Sequence, residues 1–165
     1  VGWHEIISEG RLKIGSAMQT LLIKQVKQQV LDDMDVIIFD APPGTSCPVV
    51  ETVADADYII LVTEPTPFGL YDLKLTVELV RDLGKPFGVI INKAGLGDHK
   101  VHEYLAEEQI ETLAEIPFSR EYASQYAKGE IFENIPEEII AQYKAIIQKL
   151  LVKGTSYEGY NHFKW

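Results

Sequence analysis

The chain has 165 residues, 46% of them hydrophobic, and carries 25 acidic against 15 basic residues for a net charge of −10. That length and apolar content suit one domain with a sizeable core. The acidic balance argues against nonspecific nucleic-acid binding, which needs basic side chains to neutralise phosphates, but backbone N–H groups can still hold a phosphate inside an acidic protein.

Residues 16–33 read as an amphipathic helix: Met18, Leu22, Val26 and Val30 recur every four residues with Leu21 alongside, and Ser16 with Gln19 three residues on fits a capping box. Residues 36–40 (VIIFD) are short, apolar and rich in β-branched side chains, the pattern of a buried strand. A short helix is expected over 48–54 and a second buried strand over 58–63 (YIILVT). Residues 69–83 are helical, with Leu73, Val77 and Val80 on one face and Gly84 placed to stop them. A third strand covers 87–92 (FGVIIN). Asp98 can cap a helix running to about Glu108, and 112–116 read as a short fourth strand. A helix over 119–128 follows. Pro136 opens a strong final helix whose buried stripe is Ile139, Ile140, Tyr143, Ile146, Ile147, Leu150 and Leu151. Beyond Lys153 the sequence is aromatic and polar without a period, so residues 1–153 are taken as part of one domain and 154–165 as a tail.

Strands alternating with helices predict an α/β fold: a parallel sheet joined by crossover connections and flanked by helices on both faces. No apolar run approaches the roughly 18–20 residues that span a bilayer, and no signal peptide is visible. Cys47 is the single cysteine, so an internal disulfide is excluded and a reducing, cytoplasmic setting is the simplest reading. The first residue is Val1, not methionine, which suggests a piece of something longer.

In such sheets ligands bind beyond the carboxyl ends of the strands, so the residues just after each strand carry the interest. Asp40 ends the 36–40 run. A carboxylate there suits Mg²⁺, which keeps most of its waters and needs only one or two carboxylates. Pro42 and Pro43 stiffen the following turn, and Gly44 lets backbone approach a ligand and offers its N–H to a terminal phosphate. The plainer alternative is that Asp40 caps the next helix and the prolines end the strand. The 63–69 segment, TEPTPFG, is restricted by two prolines and forms either a rigid rim or simply a stiff connection. Asn92 can donate to and accept from a purine edge, and the stem of Lys93 can lie on a base. Gly95 stands where guanine-selective N-K-x-D loops place Asp, so adenine is preferred. His99 and His102, three apart with Glu103 adjacent, read either as a metal pair or as a solvated helix face. Cys47, just before Pro48 at a helix start, is either a reactive thiol or a turn residue.

Together these segments resemble the MinD/Mrp/ParA class of P-loop ATPases with a deviant Walker A motif. VIIFDAPPGT resembles their Walker B and switch II segment. DAPPGTSCP together with VTEPTPFGLYDL resembles the MinD-superfamily branch with an inserted ferredoxin domain. INKAG matches the purine-binding Asn position, EIPFSREYASQYAKGE the I-P…G segment near the adenine, and GRLKIGSAMQTLLIKQVK the stretch after the ferredoxin insertion. The resemblance covers about residues 10–152. It implies a protein that binds ATP or ADP with Mg²⁺, hydrolyses ATP, dimerises around nucleotide and works as a nucleotide-driven switch or in iron–sulfur cluster handling, with room for clusters on the insertion and for an iron–sulfur protein partner.

By position, Asp40 would contact Mg²⁺ through water, and Gly44 would sense the γ-phosphate. Asn92 and Lys93 would meet the adenine, and Pro117 with Phe118 would line its pocket. The attacking water would sit near Asp40 and the Gly44 turn, since phosphoryl transfer needs positioning and charge neutralisation more than a side-chain nucleophile. One departure is large: no G-K-G-G-x-G-K-T-like loop and no CxxC pair occurs in these 165 residues. The expectation is that both lie upstream of Val1, that this chain is the C-terminal half of such a protein, and that alone it is inactive. Without a P-loop strand the strands at 36–40 and 58–63 would expose edges, compensated by closing the gap, by strand exchange or by self-association. Two other readings compete: a non-catalytic interaction or dimerisation module of degenerate P-loop fold, and, more weakly, a receiver-like or flavodoxin-like domain.

Overall fold

The computed structural model of the chain describes residues 7–13, 18–30, 36–130 and 135–156. The chain divides into two compact units, 1–56 and 57–165.

In the second unit, β1 (Ile59–Thr63), α3 (Pro67–Asp82), β2 (Phe87–Ala94), α4 (Lys100–Glu107) and β3 (Thr112–Pro117) alternate, followed by α5 (Arg120–Lys128) and α6 (Glu137–Ser156). The strands form one parallel sheet in the order β1-β2-β3. The expected α/β architecture is thus present. β2 has a partner on each side and is buried at four successive positions, Gly88, Val89, Ile90 and Ile91. Because successive side chains point to opposite faces, both faces of the central strand are covered. Leu73, Val77 and Val80 of α3 and Val101 and Leu105 of α4 supply buried side chains, each worth about 1.5–3 kcal/mol of transfer free energy. Ile146 of α6 joins Ile90, Leu113 and Ala114 in a cluster, with Tyr58, Ile116 and Leu150 packed against it. Lys149 reaches over to donate to the Leu113 carbonyl at 2.9 Å.

The local signals place these elements with small shifts. α3 starts at Pro67, two residues earlier than expected, because Thr66 caps it: its Oγ1 accepts from the Gly69 N–H at 3.0 Å and the proline sits where no intrahelical N–H is needed. Gly84 ends α3 with φ +65°. Asp98 accepts from the Lys100 N–H at 3.1 Å at the start of α4. Ser119 caps α5 through the Tyr122 N–H, and Gly129, at φ +81°, closes it. α6 runs to Ser156, three residues past the expected end. Its buried stripe is narrower than predicted. Ile139 and Ile146 are buried and Leu150 packs on the cluster, but Tyr143, Ile147 and Leu151 are exposed.

β1 corrects a second expectation. Only Ile59, Leu61 and Thr63 are buried; Val62 on the opposite face is 64% exposed. β1 is the edge of the sheet among the described residues, and α6 packs over β3, not over β1.

In the first unit, α1 (Gln19–Lys27) packs on α2 (Cys47–Val53). α1 is shorter than the expected 16–33 helix and has Met18 at its N-cap; Ser16, the expected capping residue, lies outside the described residues, as does the 157–165 part of the expected tail. Lys27 ties the two helices together. Its ammonium donates to the Glu51 carbonyl at 2.6 Å and to Asp55 Oδ2 at 2.7 Å, and sits 5.3 Å from the Phe39 ring centroid. The buried strand expected over 36–40 does not form. These residues have no ladder partner, and Val36, Ile37 and Ile38 are 57%, 45% and 86% exposed. The first unit holds no strand among its described residues, so this apolar run has no neighbour to complete its backbone hydrogen bonds.

Candidate functional site

Register brings four of the six candidate residues to one end of the sheet. Asn92 of β2 is opposite Ile116 of β3, and Ala94 is opposite Pro117. The Phe118 N–H donates to the Ala94 carbonyl at 3.3 Å, so Asn92, Lys93, Pro117 and Phe118 lie together at the carboxyl ends of β2 and β3. Asn92 is half-buried and its Oδ1 accepts from the Lys93 N–H at 3.0 Å. That engages the amide oxygen and leaves the side-chain NH₂ as the group's donor. Phe118 is 40% exposed, an aromatic side chain at the same sheet end.

The β2 exit is sharply curled. Lys93 has φ +53°, Gly95 φ +88° and Gly97 φ +122°. Lys93 is a non-glycine residue in the left-handed region, and its ammonium lies 2.7 Å from Glu64 Oε1, at the end of β1. The lysine stem therefore runs across the sheet end with its charge already paired. Glu64 and Gly97 were not singled out from sequence as site residues. An acid leaving one strand and a lysine leaving another is the available signal, but it becomes informative only once β1 and β2 are known to be neighbours.

Asp40 and Gly44 belong to the first unit. Asp40 is exposed, and Gly44, at φ +92°, sits in an exposed turn with open space where a Cβ would project. Its glycine is required by backbone conformation, not by crowding. A single accessible carboxylate followed by a turn with a free backbone face fits the modest demands of Mg²⁺ and a phosphate. No cluster of three or more metal-ligating side chains occurs among the described residues. His102 pairs instead with Glu115, Nε2 to Oε2 at 3.2 Å, and His99 meets it edge-on at 5.9 Å between ring centroids. Cys47 is the first residue of α2 and is exposed. No described helix is long and apolar enough to cross a membrane.

The model of the ParA-type family described as the NUBPL iron-transfer P-loop NTPase matches residues 11–151. The chain belongs to this family. An uncharacterized protein of Methanocaldococcus jannaschii is 30% identical over 124 residues, spanning 74% of this chain and 43% of that protein. An iron–sulfur cluster carrier protein of Pseudomonas fragi is 29% identical over 131 residues, spanning 70% of this chain and 45% of its own length. The chain thus spans less than half the length of both relatives. The cell division ATPase MinD of Pyrococcus furiosus superposes with a TM-score of 0.60 at 22% identity, over 81% of this chain and 58% of that one. This likeness shows a shared P-loop NTPase fold of the MinD/ParA type, as the strand-end motifs implied.

Proposed function

We propose that this chain supplies the Walker B/switch II turn and the adenine-side loops of an ATP-binding protein that hydrolyses ATP to drive a dimer switch in iron–sulfur cluster handling. The carrying observation is that Asn92, Lys93, Pro117 and Phe118 converge at one sheet end in a chain of the iron-transfer family. In this reading Asn92 donates to the adenine edge, and Pro117 and Phe118 wall its pocket. Asp40 holds a water-bridged Mg²⁺, and the Gly44 N–H meets the γ-phosphate. Mg²⁺, when bound, neutralises phosphate charge during transfer. The M. jannaschii and P. fragi relatives extend well beyond this chain, consistent with a phosphate-gripping loop and a ferredoxin insertion carried by a longer, cytoplasmic protein.

Because these 165 residues hold no G-K-G-G-x-G-K-T-like loop, the chain by itself is expected to bind Mg-ATP weakly or not at all. Isothermal titration checks this, and submicromolar binding would refute it. The exposed 36–38 run and the open face of β1 favour a second reading, a non-catalytic module that pairs with another copy or subunit, including by strand exchange. The coding sequence upstream of Val1 separates the two: an intact Walker A in frame supports the ATPase, and its absence supports the module.

A further inference from the structure

We propose that the Glu64–Lys93 ion pair and the seating of Gly97 on the Pro65 carbonyl lock the loops after β1 and β2 into one rigid rim that presents Asn92 to a purine. Glu64 is then a positioning residue. The inference rests on the adenine-side reading of Asn92 and deepens it.

The first half of the lock is the loop after β1. Thr63, buried, donates its hydroxyl to the Gly69 carbonyl at 3.0 Å. The Gly69 N–H returns to Thr66 Oγ1 at 3.0 Å, and the Thr66 N–H bonds the Glu64 carbonyl at 2.8 Å. A Cβ on Gly69 would collide with the Glu64 carbonyl, and Pro65 is buried. Glu64 therefore projects from a platform with little freedom.

The second half is the curl after β2. Thr63 pairs with Ile91, so the two chains leave the sheet side by side. Lys93 sits at φ +53°, a conformation that costs an L-residue free energy and persists only when its surroundings hold it. Three contacts do so. Its N–H binds Asn92 Oδ1, its carbonyl accepts from the Leu96 N–H at 3.1 Å, and its ammonium reaches Glu64. Gly97 then lies so close to Pro65 that any Cβ would strike the Pro65 carbonyl. With Oδ1 engaged internally, Asn92 offers N–H donors, the complement of a purine ring nitrogen. The ion pair is half-exposed, and such pairs contribute modestly. Its effect is to set geometry, reinforced by the steric seat of Gly97.

The test uses the whole chain and two-dimensional NMR of backbone and side-chain amides, with Val89 and Ile91 signals reporting that each variant is folded. Glu64→Gln and Lys93→Met are each expected to shift the Asn92 side-chain amide and the Gly97 amide. The double variant should shift them no further, and the charge-swapped pair E64K/K93E should move them back. Gly97→Ala should displace the same signals more. Adenosine at millimolar concentration should perturb the Asn92 NH₂, with affinity about 2–5-fold weaker in either single variant. Shifts that are absent or additive overturn the lock, and equal adenosine affinity in wild type and variants overturns its positioning role. If adenosine leaves wild-type Asn92 untouched while the Glu64–Lys93 coupling holds, the purine reading falls and the fault lies there, not in the lock.

Discussion

Residues 36–39 read VIIF and residues 88–91 read GVII, two apolar runs of equal length and near-equal composition. The second is the centre of a sheet, buried at every position. The first forms no helix or strand, with Ile38 86% exposed. What separates them is company. β2 has β1 on one side and β3 on the other, whereas the first unit offers 36–39 no strand among its described residues. β-propensity marks a segment able to fit a pleated, covered surface; it does not create the surface.

The largest expected expression of this contrast is in amide hydrogen exchange. The amides of Val89 and Ile91 should open only with the second unit's global unfolding, and those of Ile37 and Ile38 should be slowed little, a difference of about a thousandfold or more. Comparable protection at the two sites would break the comparison. Truncation should separate them next. Ile91→Ala removes a side chain with no exposure and is expected to cost about 2–5 kcal/mol, against under about 0.5 kcal/mol for Ile38→Ala, both read by denaturant titration. If a strand is supplied in trans and packs on 36–39, the cost at Ile38 should rise toward that at Ile91.

A smaller effect is expected at Lys27, which joins α1 to α2. Its two charge-assisted hydrogen bonds are worth about 1–3 kcal/mol, so Lys27→Met should speed exchange in α1 and α2 by roughly tenfold or more. It should leave Val89 and Ile91 unchanged. Loss of protection in both units together would mean they do not unfold separately.

The smallest effect is alkaline. Burial, reinforced by Glu108, raises the Tyr104 pKa, and partial desolvation of the phenol, although the side chain is 45% exposed, together with Tyr122 raises that of Tyr143. A phenol whose folded pKa lies above its unfolded one contributes stability that is fully present below about pH 10 and is lost as pH rises through the folded pKa. Thermal melting should therefore weaken above about pH 10. Tyr104→Phe and Tyr143→Phe should each flatten that decline, and an unchanged slope in both would count against the assignment.

These contrasts also mark where sequence reading succeeds. α3, α4, β2 and β3 were legible because their signals are local: apolar period, a capping Asp before α4, a glycine at the stop of α3; the Thr66 cap that moves the start of α3 to Pro67 was not read. Strand 36–40 was misjudged because strandedness depends on a neighbour. The exposed Tyr143, Ile147 and Leu151 were misjudged because a helical stripe shows which face can be buried, not how wide its cover is. At the candidate site, the placement of Asn92 and Pro117 at the carboxyl ends of neighbouring strands was legible from motif and strand end. Glu64 was not, because its partner Lys93 is 29 residues away and the link exists only through the β1–β2 register.

The position of α6 has a consequence for synthesis. Ile90, Leu113 and Ala114 are in place once β3 is made, but Ile146, Leu150 and the Lys149 ammonium that close over them come from residues 137–156. On a ribosome that emits the chain from its amino end, one face of the sheet stays open to solvent until α6 follows. Over that interval of a few seconds the nascent chain presents a sticky apolar plane to chaperones and to its neighbours on the polysome.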